Sequence, residues 1–352
     1  MCGICGELRF DGQQPDARVL QAMTQRLARR GPDASGEYRA GPVALGHRRL
    51  SVIDLSERAS QPMEDPELGL VLVFNGTIYN YPELRGQLSA SGYRFFSEGD
   101  SEVILKAYAE WGEDCTRHLH GMFAFAIWDV NRQLLFMARD RFGIKPLYYS
   151  LTAGRLRFAS TSQALLAAGD LDTAIDPVAI HHHLSLHAVV PAPRTLLRGL
   201  RKLQPAHSQT FAAGCRPVLR RYWQLEARTG DSAMSEWEWI DATHEVLRKA
   251  VERRRAIADV PVGILLSGGL DSSLLVALQA EVGGGELLTF SVGFEDQPEE
   301  KGHEFEYSDL VADLYSTRHT RFTIPNSEVL TRLPEAIDNM AEPMVAQDAI
   351  AF

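Results

Sequence analysis

The sequence predicts a two-domain α/β protein, a layered α/β sandwich followed by a doubly wound parallel sheet. Three observations carry that prediction. At 352 residues the chain exceeds one ordinary domain and has length for two cores. Roughly the first 160 residues carry short apolar runs bounded by Gly, Asp and Pro, at 4–10, 43–45, 70–74, 123–128, 134–138 and 156–159. Helical periodicity is confined there to 19–28, 82–89 and 101–111. The third observation is a change of period: a helix over 236–255, then strands at 262–266, 287–293 and 320–324 alternating with helices at 272–282 and 307–314. Strand and helix in alternation imply parallel pairing.

Between the two halves, 176–223 is Pro-rich (Pro191, Pro193, Pro205, Pro217) and reads as a connector packing between domains. The expected domains are therefore 2–165 and 231–352, joined by 166–230. Hydrophobic residues at 45% and charged residues at 23% suit a soluble globular protein. A net charge of −10, from 36 basic and 46 acidic residues, argues against a nucleic-acid or anionic-membrane binder. No apolar run reaches the roughly eighteen residues a spanning helix needs, and the first residues lack the form of a signal peptide. Four cysteines (Cys2, Cys5, Cys115, Cys215) at irregular spacing do not outline a disulfide scaffold, so the expectation is a cytoplasmic protein with reduced thiols.

Cys2 follows the initiator methionine, which is normally trimmed before a small residue. An N-terminal cysteine joins a nucleophile to an α-amine that titrates near pH 8 and can serve as its base. Cys2 and Cys5 also fit a CxxC redox or metal pair, but no second pair follows, and Cys5 reads as a small core residue. Four histidines (His181, His182, His183, His187) splay round a helix without carboxylate or thiol company and read as a polar face.

Further segments extend the N-terminal signal. They are Arg30-Gly31-Pro32-Asp33, His47-Arg48-Arg49-Leu50-Ser51, Phe74-Asn75-Gly76, Tyr79-Asn80, Asp100-Ser101-Glu102-Val103 and Gly121-Met122-Phe123-Ala124-Phe125, then the run from Arg139 to Tyr149. In order and spacing the chain resembles the class II glutamine amidotransferases, and among them the glutamine-dependent asparagine synthetase family. The resemblance implies an N-terminal-nucleophile hydrolase αββα sandwich. It implies that Cys2 attacks the glutamine side-chain amide, with Asn75 and Gly76 as the oxyanion hole. Arg49 would grip the α-carboxylate and Asp100 the α-ammonium, with Leu50, Ser51, Val52, Ile53 and Thr77 completing the glutamine site. Thr77 departs from the family's usual Glu and removes a carboxylate.

From Val262 an apolar strand runs into Ser267-Gly268-Gly269-Leu270-Asp271-Ser272-Ser273, which opens a helix. Glycines admit phosphate to the backbone, and the free N–H groups of a helix start favour its charge. The loop is neither a Walker motif nor a dinucleotide fingerprint. It resembles the PP-loop of ATP pyrophosphatases, whose domain is adenine nucleotide alpha hydrolase-like. That resemblance implies ATP cleaved to AMP and pyrophosphate, with Ser267, Gly268, Gly269, Ser272 and Ser273 around pyrophosphate. Leu266 and Val292 would contact adenine, and Asp271 would contact Mg²⁺.

Together the resemblances imply glutamine-dependent amidation of a carboxylate. Aspartate is the family's usual acceptor. Cys2-Gly3-Ile4-Cys5, Thr77 and the stretch Glu342-Pro343-Met344 with Gln347-Asp348 are similar instead to N-acetylglutaminylglutamine amidotransferases, which amidate a small peptide. The implied partners are glutamine and that acceptor, with no nucleic acid or membrane, in a homodimer. Such families carry a second Ser-Gly-x-Gly-x-Asp-Glu phosphate motif beyond residue 352, so a truncated chain with glutaminase activity only is a further expectation.

Overall fold

A computed structural model describes residues 1–227, 234–296 and 302–343. The chain divides into two compact units. The first spans 1–226 and takes in the segment starting at Asn339; the second is built from 227–338.

The first unit runs β1 (Gly3–Arg9), α1 (Ala17–Arg26), β2 (Ala34–Ala40), β3 (Val43–Arg49), β4 (Met63–Asp65) and β5 (Leu70–Ile78). Helices α2 (Tyr81–Ala90), α3 (Asp100–Trp111) and α4 (Cys115–His118) follow, then β6 (Gly121–Asp129), β7 (Leu134–Arg139), β8 (Tyr148–Leu151) and β9 (Arg155–Ala159). The unit continues through α5 (Ser162–Leu166), α6 (Pro177–Ser185), β10 (Arg201–Lys202), β11 (His207–Ala212) and β12 (Val218–Arg221). Its strands form two six-stranded antiparallel sheets, ordered β10-β8-β9-β1-β3-β2 and β12-β11-β7-β6-β5-β4.

Packing stacks these sheets in four layers, helices outside and sheets within. Side chains alternate across a strand, so Ile4, Leu8, Val43 and Leu45 meet Val73, Ala126, Trp128 and Met137 between the sheets. On the far face of the first sheet, Cys5 and Ala44 pack with Leu20 and Met23 of α1 and Leu165 of α5. On the far face of the second, Leu72, Phe74 and Phe125 pack with Leu84, Leu88, Ile104 and Tyr108 of α2 and α3. A strand covered on both faces needs no polar alternation, which is why β6 and β7 read in the sequence as apolar runs over 123–128 and 134–138. This is the predicted αββα sandwich.

Within 166–230, expected as a connector, β10 sits on the edge of one sheet beside β8, and β11 pairs with β7 from Ser208 to Ala212. Phe211 is buried in the core between the sheets. That stretch therefore supplies strands to both sheets of the first unit.

The second unit begins with α7 (Glu236–Ala256), whose N-terminus carries a reciprocal capping box between Ser235 and Glu238. After it come β13 (Gly263–Leu265), α8 (Leu270–Val282), β14 (Leu288–Phe294), α9 (Phe305–Leu314), β15 (Arg318–Ile324) and α10 (Asn326–Asn339). The three strands are parallel and lie in sequence order, each joined to the next through a helix. Among the described residues no helix is long and apolar enough to cross a membrane. Met344, Gln347 and Asp348 lie outside the described residues.

Candidate active site

The edge of β5 shapes the first site. β6 pairs with β5 along its whole length, but β4 pairs only with Leu70 to Leu72, so the other edge is open beyond that point. Side chains close most of it. The Phe74 N–H donates to Gln61 Oε1 at 2.6 Å, and the Ile78 N–H donates to Asp100 Oδ2 at 2.9 Å. Backbone groups two residues apart point to the same edge, so the Gly76 N–H between them faces the gap. Gly76 cannot be larger: a Cβ there would stand 2.2 Å from the Met122 carbonyl oxygen. Asn75 is buried, and its Nδ2 is a buried donor without a partner. Such groups are rare because each costs free energy unless a ligand accepts from it.

That gap is the wall of a pocket of about 180 Å³. Met1, Cys2, Arg49, Leu50, Val52, Ile53, Asn75, Gly76, Thr77 and Asp100 line it, together with Ala59, Gln61, Phe74, Ser101, Met122 and Lys145. Nine of the ten predicted catalytic and glutamine-site residues therefore meet in one place. Ser51 does not; its N–H donates to Asp33 Oδ2 at 2.7 Å instead.

The Leu50 N–H donates to Cys2 Sγ at 3.4 Å, and Arg30 Nε donates to the Cys2 carbonyl oxygen at 3.0 Å. Burial pushes the Cys2 thiol up from its ordinary value, and the Leu50 N–H and the chain's amino terminus oppose that. A thiol held protonated needs a base beside it before it can attack. Arg49 donates from Nη1 to the Ser56 carbonyl oxygen at 2.9 Å and from Nη2 to that of Asp54, which anchors the loop after β3. Lys145 reaches the pocket because Asp140 folds its loop, accepting from the N–H groups of Phe142, Ile144 and Lys145 at 2.9–3.1 Å. Arg139 closes the same loop through the Gly143 and Lys145 carbonyl oxygens. The Arg139–Tyr149 motif was visible in the sequence, but its product, a lysine in the Cys2 pocket, was not. Cys5 is a free thiol in the core, in contact with Thr24 Oγ1 and pushed up to about 12 by burial, the environment of a small core residue.

Asp100 opens α3 at the foot of the pocket, and burial raises its carboxyl to about 7. A carboxyl raised above its unfolded value of 3.8 costs the fold stability as pH climbs past about 4, and the whole cost is present above about 7. Asp100→Asn should therefore melt above wild type at pH 8, with the gap closing by pH 4. If Asp100 holds an ammonium group, the wild-type KM for glutamine should fall as pH rises through about 7, while the variant's stays high. Thermal melts and glutamine kinetics across pH check both. A variant that melts no higher at pH 8 contradicts the cost of the buried charge.

In the second unit the predicted phosphate loop leaves β13 and enters α8. Leu266 is buried, and its N–H donates to the Phe290 carbonyl oxygen at 2.7 Å. Gly268 takes φ +86°, which favours glycine, and a Cβ there would stand 2.5 Å from Tyr307 Cβ. Gly269 caps α8, Ser267 and Ser272 pair through their hydroxyls at 3.0 Å, and Ser273 begins the helical bonding. Asp271 is exposed in the first turn of α8, and Val292 is 40% exposed on the neighbouring β14. Among the described residues no group of three or more His, Cys, Asp or Glu could hold a metal, and the histidines of α6 form none.

Residues 1–223 match the family model described as a glutamine amidotransferase domain, so the first unit is of that class. Residues 242–352 match the model described as asparagine synthase. The chain is 33% identical over 354 residues to asparagine synthetase [glutamine-hydrolyzing] 3 of Bacillus subtilis, covering 96% of this chain and 56% of that protein. It is 38% identical over 369 residues to a putative asparagine synthetase [glutamine-hydrolyzing] of Mycobacterium tuberculosis, covering 97% and 55%. It is also 35% identical over 295 residues to an amidase of Penicillium rubens, covering 80% and 43%. The chain belongs to the glutamine-hydrolysing asparagine synthetase family. It spans about half the length of the curated relatives it matches.

Proposed function

We propose that this chain hydrolyses glutamine at Cys2 and feeds the ammonia to ATP-dependent amidation of a carboxylate. One observation carries the first half: the unpartnered Asn75 Nδ2 and the Gly76 N–H border the pocket that holds Cys2. With Met1 removed, the Cys2 α-amine takes the thiol proton, and the thiolate attacks the side-chain carbonyl of glutamine. The developing oxyanion takes hydrogen bonds from Asn75 and Gly76. Collapse, with the α-ammonium returning its proton to the departing nitrogen, expels ammonia and leaves a γ-glutamyl thioester, which water cleaves to glutamate and free Cys2. Arg49 holds the substrate carboxylate and Asp100 its ammonium.

In the second half, Ser267, Gly268, Gly269, Ser272 and Ser273 hold pyrophosphate as ATP adenylates the acceptor, and Leu266 and Val292 flank adenine. Mg²⁺ usually binds through one or two carboxylates plus substrate phosphates, so a single exposed Asp271 at the helix start fits it. The ion would supply charge neutralisation at the phosphates. We read the protein as a cytoplasmic homodimer. The acceptor is aspartate by family default; Thr77, in place of a carboxylate in the glutamine pocket, favours the small-peptide branch.

The test incubates the protein with glutamine, ATP, Mg²⁺ and either aspartate or N-acetylglutaminylglutamine, then identifies products by mass spectrometry. Glutamate, AMP, pyrophosphate and a dipeptide amide are expected. ADP with phosphate would discard the adenylation chemistry, and asparagine with the dipeptide untouched would return the acceptor to aspartate.

A further inference from the structure

Gln61 lies between the two ends of the pocket, and its single side-chain amide touches both. Its Oε1 accepts from the Phe74 N–H at 2.6 Å, one residue before Asn75. Its Nε2 donates to Ser101 Oγ at 3.1 Å, one residue after Asp100. The other backbone group of Phe74 is held as well, since its carbonyl oxygen meets His47 Nε2 at 3.1 Å. His47 is fully buried, and burial lowers it to about 4, so it acts there as a neutral donor. Gln61 itself is 8% exposed. Its backbone is wedged against β2, where a Cβ on Gly36 would stand 2.2 Å from the Gln61 carbonyl oxygen.

These contacts fall where β5 has lost its strand partner. Among the described residues no strand pairs with that edge of β5 past Leu72, so the Phe74 peptide is located by two side chains instead of a ladder. An oxyanion hole works only while its donors stay within about 0.5 Å of the productive position. A strand edge without a neighbour does not hold that tolerance unaided.

We propose that Gln61 is a positioning residue, an amide strut that fixes the Asn75-Gly76 oxyanion donors and locks them in register with Asp100 through Ser101. This rests on the glutaminase reading and adds a residue to it. Gln61 touches no reacting atom in this scheme; it acts through Phe74 and Ser101.

The test compares wild type, Gln61→Met, Ser101→Ala and the double variant. Glutamine kinetics, iodoacetamide labelling of Cys2 and thermal melting are read for each. Oxyanion contacts form only in the transition state, so kcat should carry the loss. Gln61→Met should lose tenfold or more in kcat with less than a threefold change in KM, while Cys2 labels at the wild-type rate. Ser101→Ala removes one arm of the strut in a fold that Gln61 still supports, and should lose a smaller part of kcat. The double variant should be no slower than Gln61→Met, because both substitutions break one connection. Wild-type kcat in Gln61→Met would overturn the proposal. So would losses that multiply in the double variant, or a kcat loss matched by an equal loss of Cys2 labelling. Should Gln61→Met fail to fold, an unchanged kcat in Ser101→Ala overturns the register lock by itself. If wild type released no glutamate from glutamine, the glutaminase reading would fail instead, and the two failures are thus distinct.

Discussion

Replacing Cys2 with alanine should stop glutamate release from glutamine. Cys2 carries the only thiol in the pocket lining, and two other candidates are engaged: Asp100 is tied to the Ile78 N–H, and Ser101 to Gln61. Loss of the attacking atom in a hydrolase typically costs about 10⁶-fold in kcat, so the variant should fall to background. A companion variant separates thiol from base. With one alanine inserted between Met1 and Cys2, the thiol remains but the α-amine moves a residue away. The thiol is already held protonated by burial, so losing its base should also abolish turnover. Iodoacetamide should still label the inserted variant at high pH, where the thiol ionises without help. Glutamate formation, measured by an enzyme-coupled assay, decides the matter. Turnover in Cys2→Ala within tenfold of wild type would remove Cys2 from the mechanism.

Much of this was legible in the sequence, for reasons that differ by element. β1, β6 and β7 announced themselves because both faces are buried, and α3 through the helical periodicity of 101–111. β2 and β12 were invisible: they lie on sheet edges, partly or largely exposed, and carry no apolar run. The Pro-rich stretch hid β10 and β11, since prolines mark turns and give no signal of the short strands between them. At the site, motifs gave the residues that chemistry requires by type: a thiol, an amide, a guanidinium, a carboxylate. Gln61, Lys145 and His47 needed the fold, because their roles come from where strand edges end and where a loop turns. Lys145 is aimed by Asp140 and Arg139, and nothing in the local pattern says that the loop turns toward Cys2. Ser51 shows the converse, a residue inside a matching motif whose N–H turns to Asp33 and whose side chain stays off the pocket.

Asn75→Ala should leave a folded protein that binds glutamine and labels at Cys2 but turns over slowly. Asn75 sits in the middle of β5, where its backbone pairs with Ala124 and needs nothing from the side chain. Among the described residues its Nδ2 has no partner, so truncation strands no other donor or acceptor through that atom. Stability should hold or improve, because a buried amide donor without a partner is itself unfavourable, by about 1–3 kcal/mol. Turnover should move the other way. One oxyanion donor is worth roughly 10²–10³ in kcat, about 3–4 kcal/mol of barrier. The ground-state carbonyl does not need that bond, so KM should change little. The expected signature is thus a kcat lower by two to three orders of magnitude, KM within about threefold of wild type, and a melting temperature no lower than wild type. Steady-state kinetics and calorimetry on one preparation measure all three. A variant that loses stability and glutamine affinity together, with kcat intact, would show that Asn75 supports the pocket wall and does not stabilise an oxyanion.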